Sequence, residues 1–238
     1  MIITIKPPGC TINDHINKIK EEHNITKMCY CGRLDPMARG KLLLLVDDEC
    51  KKINNYLNSK KQYQFEIIFN IQTDSDDPLG IIEQYKNDNV DIFTKKYLLE
   101  LLKVYNTMSF SQNFHQFSSK PVYGKPLWYY KKNNIHVTLP SHPVEIYKLV
   151  VGKEKNYKYD DWRNKIISQI DSINKEKDFN QEFIINQWKE TEMNNLISIP
   201  VQIDVSSGFY VRQFVRDLSD KIKYPLLTFD INRTNIYY

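Results

Sequence analysis

The sequence has little that would suit a membrane or an oxidising compartment. None of its apolar runs approaches the roughly 20 residues of a membrane-spanning helix, and the start, MIITIKPPG, is broken by proline too early for a signal peptide. Its four cysteines form no CxxC pair and have no histidine at the spacing of a zinc site. We therefore expect reduced thiols, no metal site and a cytoplasmic protein, with a nuclear or organellar location left open.

Several motifs of common enzyme classes are also absent. There is no glycine-rich phosphate loop and no dinucleotide fingerprint, and the five histidines form no triad. Serine or cysteine hydrolysis has no recognisable sequence context either. These absences argue against the usual nucleotide-binding and hydrolytic enzymes.

One stretch lacks acidic residues altogether. From Leu101 to Val144 the chain contains no Asp or Glu, although the net charge of the whole chain is only +4. Within this stretch, SSKPVYGKPLWYYKK interleaves lysines, Lys120 and Lys125 among them, with tyrosines and a tryptophan. Lysines contact phosphates and aromatic rings stack on bases, so this composition predicts a nucleic-acid contact. A lysine-fringed β-hairpin explains it equally well.

Strand and helix patterns are both present. Apolar residues alternate over 63–71 and over 199–205, which predicts two strands, and helical spacing predicts helices over 12–19 and 211–222. This order favours an α+β fold over a βαβ repeat. No linker divides the chain, so we expect a single domain over 1–238. Between about 152 and 195, two helical patterns predict a helical insertion packed on the main body.

An Asp-Pro pair stands just before the apolar run KLLLLV, in CGRLDPMARG. Pro36 fixes its own φ and restricts Asp35, and the nearby Gly32 and Gly40 permit a close approach of chain segments. Such a loop can hold a carboxylate rigidly at a strand end, as a nucleophile or a general base requires. An ordinary Asx turn or helix cap explains the same pattern.

A buried carboxylate needs a cation, and Arg212 in SSGFYVRQFVRDL is the candidate. Its forked guanidinium can grip a carboxylate and stays protonated. A solvent-facing helix arginine is the simpler alternative. Tyr63 and Tyr210 are candidates for stacking on a planar ligand, although a place in the core is the default for any tyrosine.

Six stretches of the chain, in order, resemble the successive motifs of the TruB-type tRNA pseudouridine synthases. They are KPPGCTINDHINKIK, GRLDPMARGKLLLLV, KKQYQFEIIFNIQTDSDDPLG, SSKPVYGKPLWYY, GFYVRQFVRDLSDKI and INRTNI. The resemblance covers nearly the whole chain outside the 152–195 segment. It implies a pseudouridine synthase fold, with a mixed, mainly antiparallel sheet flanked by helices and a central RNA-binding cleft.

The resemblance also implies a reaction. It is the isomerisation of a uridine in RNA, with the T-arm uridine of tRNA as the target, by a monomer that needs no cofactor and no essential metal. Asp35 would attack the flipped-out nucleotide, Arg212 would orient Asp35, and Tyr63 would stack on the base and assist proton removal. The same resemblance and the charged segment place further residues at the substrate: Lys6, Lys120, Lys125, Tyr210 and Arg233.

Two features depart from the family pattern. Tyr30 stands where the family usually has a histidine that helps to extrude the base, so we expect Tyr30 to bind the substrate in its place. The sequence stops at Tyr238, where many relatives continue into a PUA RNA-binding domain, so we expect no such domain. The same reaction on rRNA or mRNA, and an inactive RNA-binding or RNA-folding protein, are therefore alternatives.

Overall fold

The computed structural model describes residues 1–177 and 179–238. Its helices are α1 (Ile12–His23), α2 (Asn54–Leu57), α3 (Ile92–Tyr105), α4 (Leu127–Lys132), α5 (Tyr159–Asp171), α6 (Gln181–Glu190) and α7 (Val211–Ile222), with short 3-10 helices at Asp47–Lys52 and Lys175–Lys177. Its strands are β1 (Ile2–Lys6), β2 (Met28–Tyr30), β3 (Arg39–Val46), β4 (Lys60–Phe69), β5 (Ile71–Thr73), β6 (Ile82–Tyr85), β7 (Ser109–Asn113), β8 (Pro121–Val122), β9 (Lys125–Pro126), β10 (Ser141–Val151), β11 (Lys155–Lys158), β12 (Asn195–Val205) and β13 (Leu226–Tyr237). Within these ranges, no helix is both long enough and apolar enough to cross a membrane.

Nine strands of the described chain form one mixed sheet. Seven of them run in the order β1-β3-β13-β4-β12-β10-β7, with β2 beside β3 and β11 beside β12. Neighbouring strands are antiparallel except β3 and β13, which are parallel where Asn232 and Arg233 meet Arg39 and Gly40. The α+β class and the mainly antiparallel sheet are therefore confirmed.

The central strand β4 carries apolar core on both of its faces. Phe65 and Ile67 pack in one cluster with residues of α3 and α7, whereas Ile68 packs in a second cluster with residues of α5 and α6. This division follows from the alternation of side chains along a strand. The predicted single strand over 63–71 is wrong at its end, because Asn70 has φ 75° and Ile71 belongs to β5 and to the second cluster.

The segment from 152 to 195 contains α5 and α6, as the helical patterns predicted, and also the strand β11. Because β11 pairs with β12, the purely helical prediction is wrong for 155–158. Trp162 of α5 and Trp188 of α6 meet edge to face, with ring centroids 5.6 Å apart. Trp188 Nε1 also donates to the carbonyl oxygen of Pro78 at 2.9 Å. The two helices thus share a core with the sheet and contact the 73–80 loop.

The parallel contact between β3 and β13 depends on Gly40. This residue has φ 114°, and a Cβ atom there would lie 2.4 Å from the carbonyl oxygen of Arg233. Only glycine combines that backbone conformation with so close an approach. Since Gly40 follows the Asp-Pro loop directly, this contact fixes where the loop enters the sheet.

Candidate active site

Asp35 lies in the loop between β2 and β3, residues 31–38, which we call the Asp35 loop. The backbone N of Ala38 donates to the carbonyl oxygen of Asp35 at 3.1 Å and closes a turn with Pro36 at its second position. The side chain of Asp35 is 31% exposed, so a substrate can reach it. The turn expected of an Asp-Pro pair is present, and it holds the carboxylate just before β3.

The N-terminal KPPG stretch holds the Asp35 loop in place. Lys6 Nζ donates to the carbonyl oxygens of Pro7, Pro36 and Ala38 at 2.8, 3.2 and 2.7 Å. The backbone N of Gly9 donates to the same oxygen of Pro36 at 3.0 Å. Lys6 has no exposed surface, and this burial lowers its pKa to about 8. The motif therefore positions the loop through its backbone.

Arg212, in the first turn of α7, pairs with Asp35. Its Nε donates to Asp35 Oδ2 at 2.8 Å, and its Nη1 donates to the carbonyl oxygen of Ser75 at 2.9 Å. The arginine is only 5% exposed. Burial by itself would raise the pKa of Asp35, but the charge and hydrogen bond of Arg212, with smaller contributions from neighbouring groups, hold that pKa below its usual value. Asp35 is thus an ionised and oriented carboxylate.

A second carboxylate, Asp77, approaches the same guanidinium. Its Oδ2 lies 3.6 Å from Arg212 Nε, and its Oδ1 accepts hydrogen bonds from Ser75 Oγ at 2.9 Å and from the backbone N of Leu79 at 3.0 Å. Burial raises the pKa of Asp77 to about 6. Asp77 was not among the predicted site residues. The signal in the sequence was three aspartates within four residues beside a predicted strand.

Asp76 and His115 form a buried pair beside this arginine. Asp76, at φ 59°, accepts from His115 Nε2 at 2.9 Å and from Arg216 Nη1 at 3.1 Å. His115 Nδ1 accepts from the backbone N of Phe117 at 3.2 Å, so the ring proton lies on Nε2. Burial holds the pKa of His115 well below its usual value and raises the pKa of Asp76 to about 7. Neither member of the pair was predicted.

The three carboxyl groups of this cluster differ in how readily they take up a proton. Asp35, Asp76 and Asp77 face two guanidiniums, those of Arg212 and Arg216, while His115 stays neutral. Burial raises the pKa of both Asp76 and Asp77, whereas the pKa of Asp35 is lowered. Near neutral pH an added proton therefore goes to Asp76 or Asp77, and Asp35 keeps its charge.

The two tyrosines expected at the substrate differ in their surroundings. Tyr63, on β4, is 8% exposed and packs in the same cluster as Leu34, the neighbour of Asp35. Tyr30 is half-buried at the end of β2, and its hydroxyl accepts from Arg33 Nη2 at 2.6 Å. The other terminal nitrogen of Arg33 donates to Ser119 Oγ at 2.7 Å. Tyr63 is thus a core residue near the Asp35 loop, and Tyr30 is half-buried and bound to Arg33.

The lysine-rich segment forms a short hairpin and a helix. Strands β8 and β9 pair, and α4 follows directly. Lys120 Nζ lies 4.8 Å from the ring centroid of Phe114, and Lys125 Nζ lies 5.3 Å from that of Tyr129. The hairpin that the composition allowed is therefore present, and it carries lysines on aromatic rings.

Two residues predicted to touch the substrate are instead buried supports of the Asp35 loop. Arg233 is 1% exposed, and its nitrogens donate to the carbonyl oxygens of Gly32, Arg33 and Lys41. Lys6 is equally inaccessible and is bound to three other carbonyl oxygens. The structure corrects the expectation of direct contact, because neither side chain has surface left for a ligand.

The described ranges hold no group of three or more His, Cys, Asp or Glu side chains arranged to bind a metal ion. The carboxyl groups of the acidic cluster are instead paired with two guanidiniums.

The mixed sheet and the reachable carboxylate define an α+β protein with a candidate active site at a strand end. A chain in the crystal structure of a Cbf5-Nop10-Gar1 complex superposes with a TM-score of 0.55 at 14% identity, covering 98% of this chain and 47% of that one. This likeness concerns the fold alone. The family model "TruB family pseudouridylate synthase (N terminal domain)" matches residues 20–165. The chain belongs to the TruB family of pseudouridylate synthases.

Two curated relatives are similar over long stretches. A tRNA pseudouridine synthase B of Malacoplasma penetrans is 30% identical over 213 residues, which are 90% of this chain and 74% of the relative. A tRNA pseudouridine synthase B of Mycoplasma mycoides subsp. mycoides is 34% identical over 162 residues, which are 66% of this chain and 54% of the relative. The chain thus spans about three quarters of the first relative and about half of the second.

Proposed function

We propose that the protein isomerises a uridine of RNA to pseudouridine, and that its substrate is the T-arm uridine of tRNA. The observation that carries this proposal is the ionised, 31% exposed carboxylate of Asp35, held 2.8 Å from Arg212 Nε, in a chain of the TruB family. The names of the curated relatives supply tRNA as the RNA. Isomerisation consumes no second substrate, which suits a site built only from side chains.

In the proposed reaction, an oxygen of the Asp35 carboxylate forms a bond to C1′ of the flipped-out nucleotide as the bond between N1 of uracil and C1′ breaks. C5 then forms a bond to C1′ as the bond between Asp35 and C1′ breaks, which restores the carboxylate. The proton on C5 leaves and N1 gains a proton, so the composition does not change. Arg212 orients Asp35 and keeps it ionised, which a nucleophile requires. Tyr63 forms the wall on which the base stacks and assists removal of the proton.

Extruding a stacked base costs a few kcal/mol, and the rim of the site offers groups that offset this cost. Tyr30 is proposed to stand in the gap that the base leaves, in place of the family's histidine. Lys120, Lys125 and Tyr210 are proposed to hold the surrounding RNA, because lysines contact phosphates and aromatic rings stack on bases. Lys6 and Arg233 are proposed to act on the substrate only indirectly, through the Asp35 loop.

Residues 1–238 are proposed to form one catalytic domain that works as a monomer. The helices of the 152–195 segment share a core with the sheet through Ile68, Leu227 and Phe229, which favours an addition to the domain over a separate unit. Light scattering of the protein, alone and with tRNA, tests the monomer, and a mass of two chains would contradict it.

The reaction is tested by incubating the protein with a tRNA transcript that carries tritium on uridine C5 and counting the tritium released. The parent protein should release it, and Asp35→Asn, which keeps the shape of the side chain but not its charge, should not. Parallel rRNA and mRNA transcripts distinguish the alternative substrates. If the parent binds RNA but releases tritium from none of them, the protein is an RNA-binding protein and not an enzyme.

A further inference from the structure

Three aromatic rings and a lysine form a cluster on the surface beside the candidate active site. The rings of Phe114 and His142 are stacked, with centroids 4.1 Å apart and planes at 26°. Tyr210 stands edge-on to both, with centroids at 5.7 and 6.3 Å. Lys120 is exposed and lies over the ring of Phe114, whereas the three rings are half-buried. We call these four residues the aromatic platform.

Hydrogen bonds fix the backbone of Tyr210 and the ring of His142 before any ligand arrives. The side chain of Gln112, which has no exposed surface, donates to the carbonyl oxygen of Tyr210 at 3.0 Å and accepts from its backbone N at 2.9 Å. His142 Nε2 hydrogen-bonds to the carbonyl oxygen of Gly208 at 3.0 Å, in the turn that leads into Tyr210. Rings that are already ordered lose little freedom on binding a flat ligand, which favours affinity.

The platform is close to the reacting carboxylate. Tyr210 precedes Arg212 by two residues, at the start of α7. Arg212 in turn donates to Asp35 at 2.8 Å, so Tyr210 lies two residues from the partner of the reacting carboxylate. A nucleotide on the platform would therefore lie near the one that reacts, within the same single-stranded stretch of RNA.

We propose that the aromatic platform binds one unpaired nucleobase of the RNA substrate. The base stacks on Phe114 in the position that Lys120 occupies in the free protein, and Lys120 turns to a phosphate of the same RNA. This proposal rests on the proposed function, because it requires an RNA with unpaired bases in the cleft. The site is indifferent to base identity, since every base offers a face for stacking.

Replacing Lys120 by a base on the ring of Phe114 should be favourable, because base stacking is generally stronger than an exposed cation–π contact. An exposed cation–π contact changes an equilibrium constant by about two- to fivefold, whereas stacking a base on an aromatic side chain changes it by about fivefold to more than a hundredfold. The displaced ammonium then gains a phosphate partner, which is a salt-dependent contribution. The free protein thus covers the ring with a group that RNA can replace.

The test measures binding of a tRNA transcript by filter retention at salt concentrations from 50 to about 300 mM, with the tritium assay run on the same samples. Phe114→Leu removes the stacking face and keeps an apolar side chain, so its affinity should fall about tenfold at every salt concentration. Phe114→Trp should bind within about threefold of the parent, because a larger aromatic face replaces the first. Lys120→Gln should reduce the slope of log K against log salt by about 0.7–0.9. At high salt it should bind up to about fivefold more tightly than the parent, because the base no longer displaces a lysine from Phe114.

The matched control is Tyr147→Leu. Lys60 Nζ lies 3.8 Å from the ring centroid of Tyr147, so this is the same kind of lysine–aromatic pair on the same strand as His142 but outside the platform. Its affinity should equal that of the parent. The proposal is overturned if Phe114→Leu binds like the parent, if its loss vanishes at high salt, or if Phe114→Trp binds as weakly as Phe114→Leu.

Measuring binding and tritium release on the same samples distinguishes a failure of this proposal from a failure of the proposed function. Tritium release by a parent whose affinity does not depend on Phe114 would leave the reaction standing and remove the platform. RNA binding that depends on Phe114, without any tritium release, would leave the platform standing and remove the reaction. A parent that neither binds nor reacts would remove both.

Discussion

Replacing Lys6 with methionine should slow catalysis without weakening RNA binding. The ammonium holds the carbonyl oxygens of Pro36 and Ala38, on either side of the turn that follows Asp35, and it has no exposed surface. Its loss lets the turn shift, and a shift of about 1 Å can cost about a hundredfold in rate. No phosphate contact is lost, so the affinity for tRNA and its salt dependence should stay as in the parent.

The lowered pKa of Lys6 also predicts how the stability difference between the parent and Lys6→Met depends on pH. Burial lowers this pKa from 10.5 to about 8, so the folded state releases the proton at a lower pH than the unfolded state does. At neutral pH the charge is kept in both states, and its burial costs about 3 kcal/mol. As pH rises from 8 to 10.5 this cost disappears. The free energy of unfolding of the parent, minus that of Lys6→Met, should therefore rise by about 2 kcal/mol between pH 7 and pH 9.5.

Urea unfolding at both pH values measures the stability, and single-turnover tritium release measures the rate. Lys61→Met is the matched control, because Lys61 is also buried, has its pKa lowered to about 8, and donates to the carbonyl oxygens of Leu57 and Ser59. It should show a similar pH signature but a nearly normal rate. A salt slope reduced by about 0.7–0.9 in Lys6→Met would mean that Lys6 touches a phosphate, and it would refute the positioning role.

Three further substitutions test the supports of the site. Asp76→Asn should remove a pH-dependent loss of stability, because the pKa of Asp76 is raised from 3.8 to about 7. Between pH 5 and pH 8 the free energy of unfolding of the parent should fall by about 2–3 kcal/mol relative to that of the variant, measured by urea unfolding. Gly40→Ala would place Cβ 2.4 Å from the carbonyl oxygen of Arg233, and we expect a loss of at least about 3 kcal/mol by thermal melting; a normal melting temperature would contradict that geometry. Trp188→Ala should cost about 3–5 kcal/mol and slow tritium release, because Trp188 is fully buried and donates to Pro78.

Elements whose periodicity is local could be predicted from the sequence. The helix α1 has apolar residues at helical spacing. Thr11 is its N-cap, and the Thr11 side chain accepts from the backbone N of Asp14. The end of β4 could not be predicted, because the positive φ of Asn70 interrupts an alternation that the letters continue to Ile71. Likewise, the pairing of β11 with β12 joins segments about 40 residues apart, and no local pattern reveals it.

The candidate site was predictable where chemistry demanded a partner. A carboxylate held at a strand end needs a cation, and the family motifs supplied Arg212, which lies within 2.8 Å of Asp35. The burial of the Lys6 and Arg233 side chains was not predictable from the sequence. Lysine and arginine are exposed by default, and only the tertiary fold shows these two to be buried. The pairing of Asp76 with His115 was missed because residues 39 apart in the sequence come together only in the tertiary fold.

The adjacent residues Phe114 and His115 connect the surface to the buried cluster. Phe114 stacks on His142 at the surface, whereas His115, the next residue, donates to Asp76 in the interior. Gln116 Nε2 adds a hydrogen bond to the carbonyl oxygen of Asp74 at 2.6 Å, so the segment is fastened to the 73–80 loop at two successive residues. That loop also accepts from Arg212 and Arg216. Polar contacts to that loop therefore fix the position of the segment that carries Phe114.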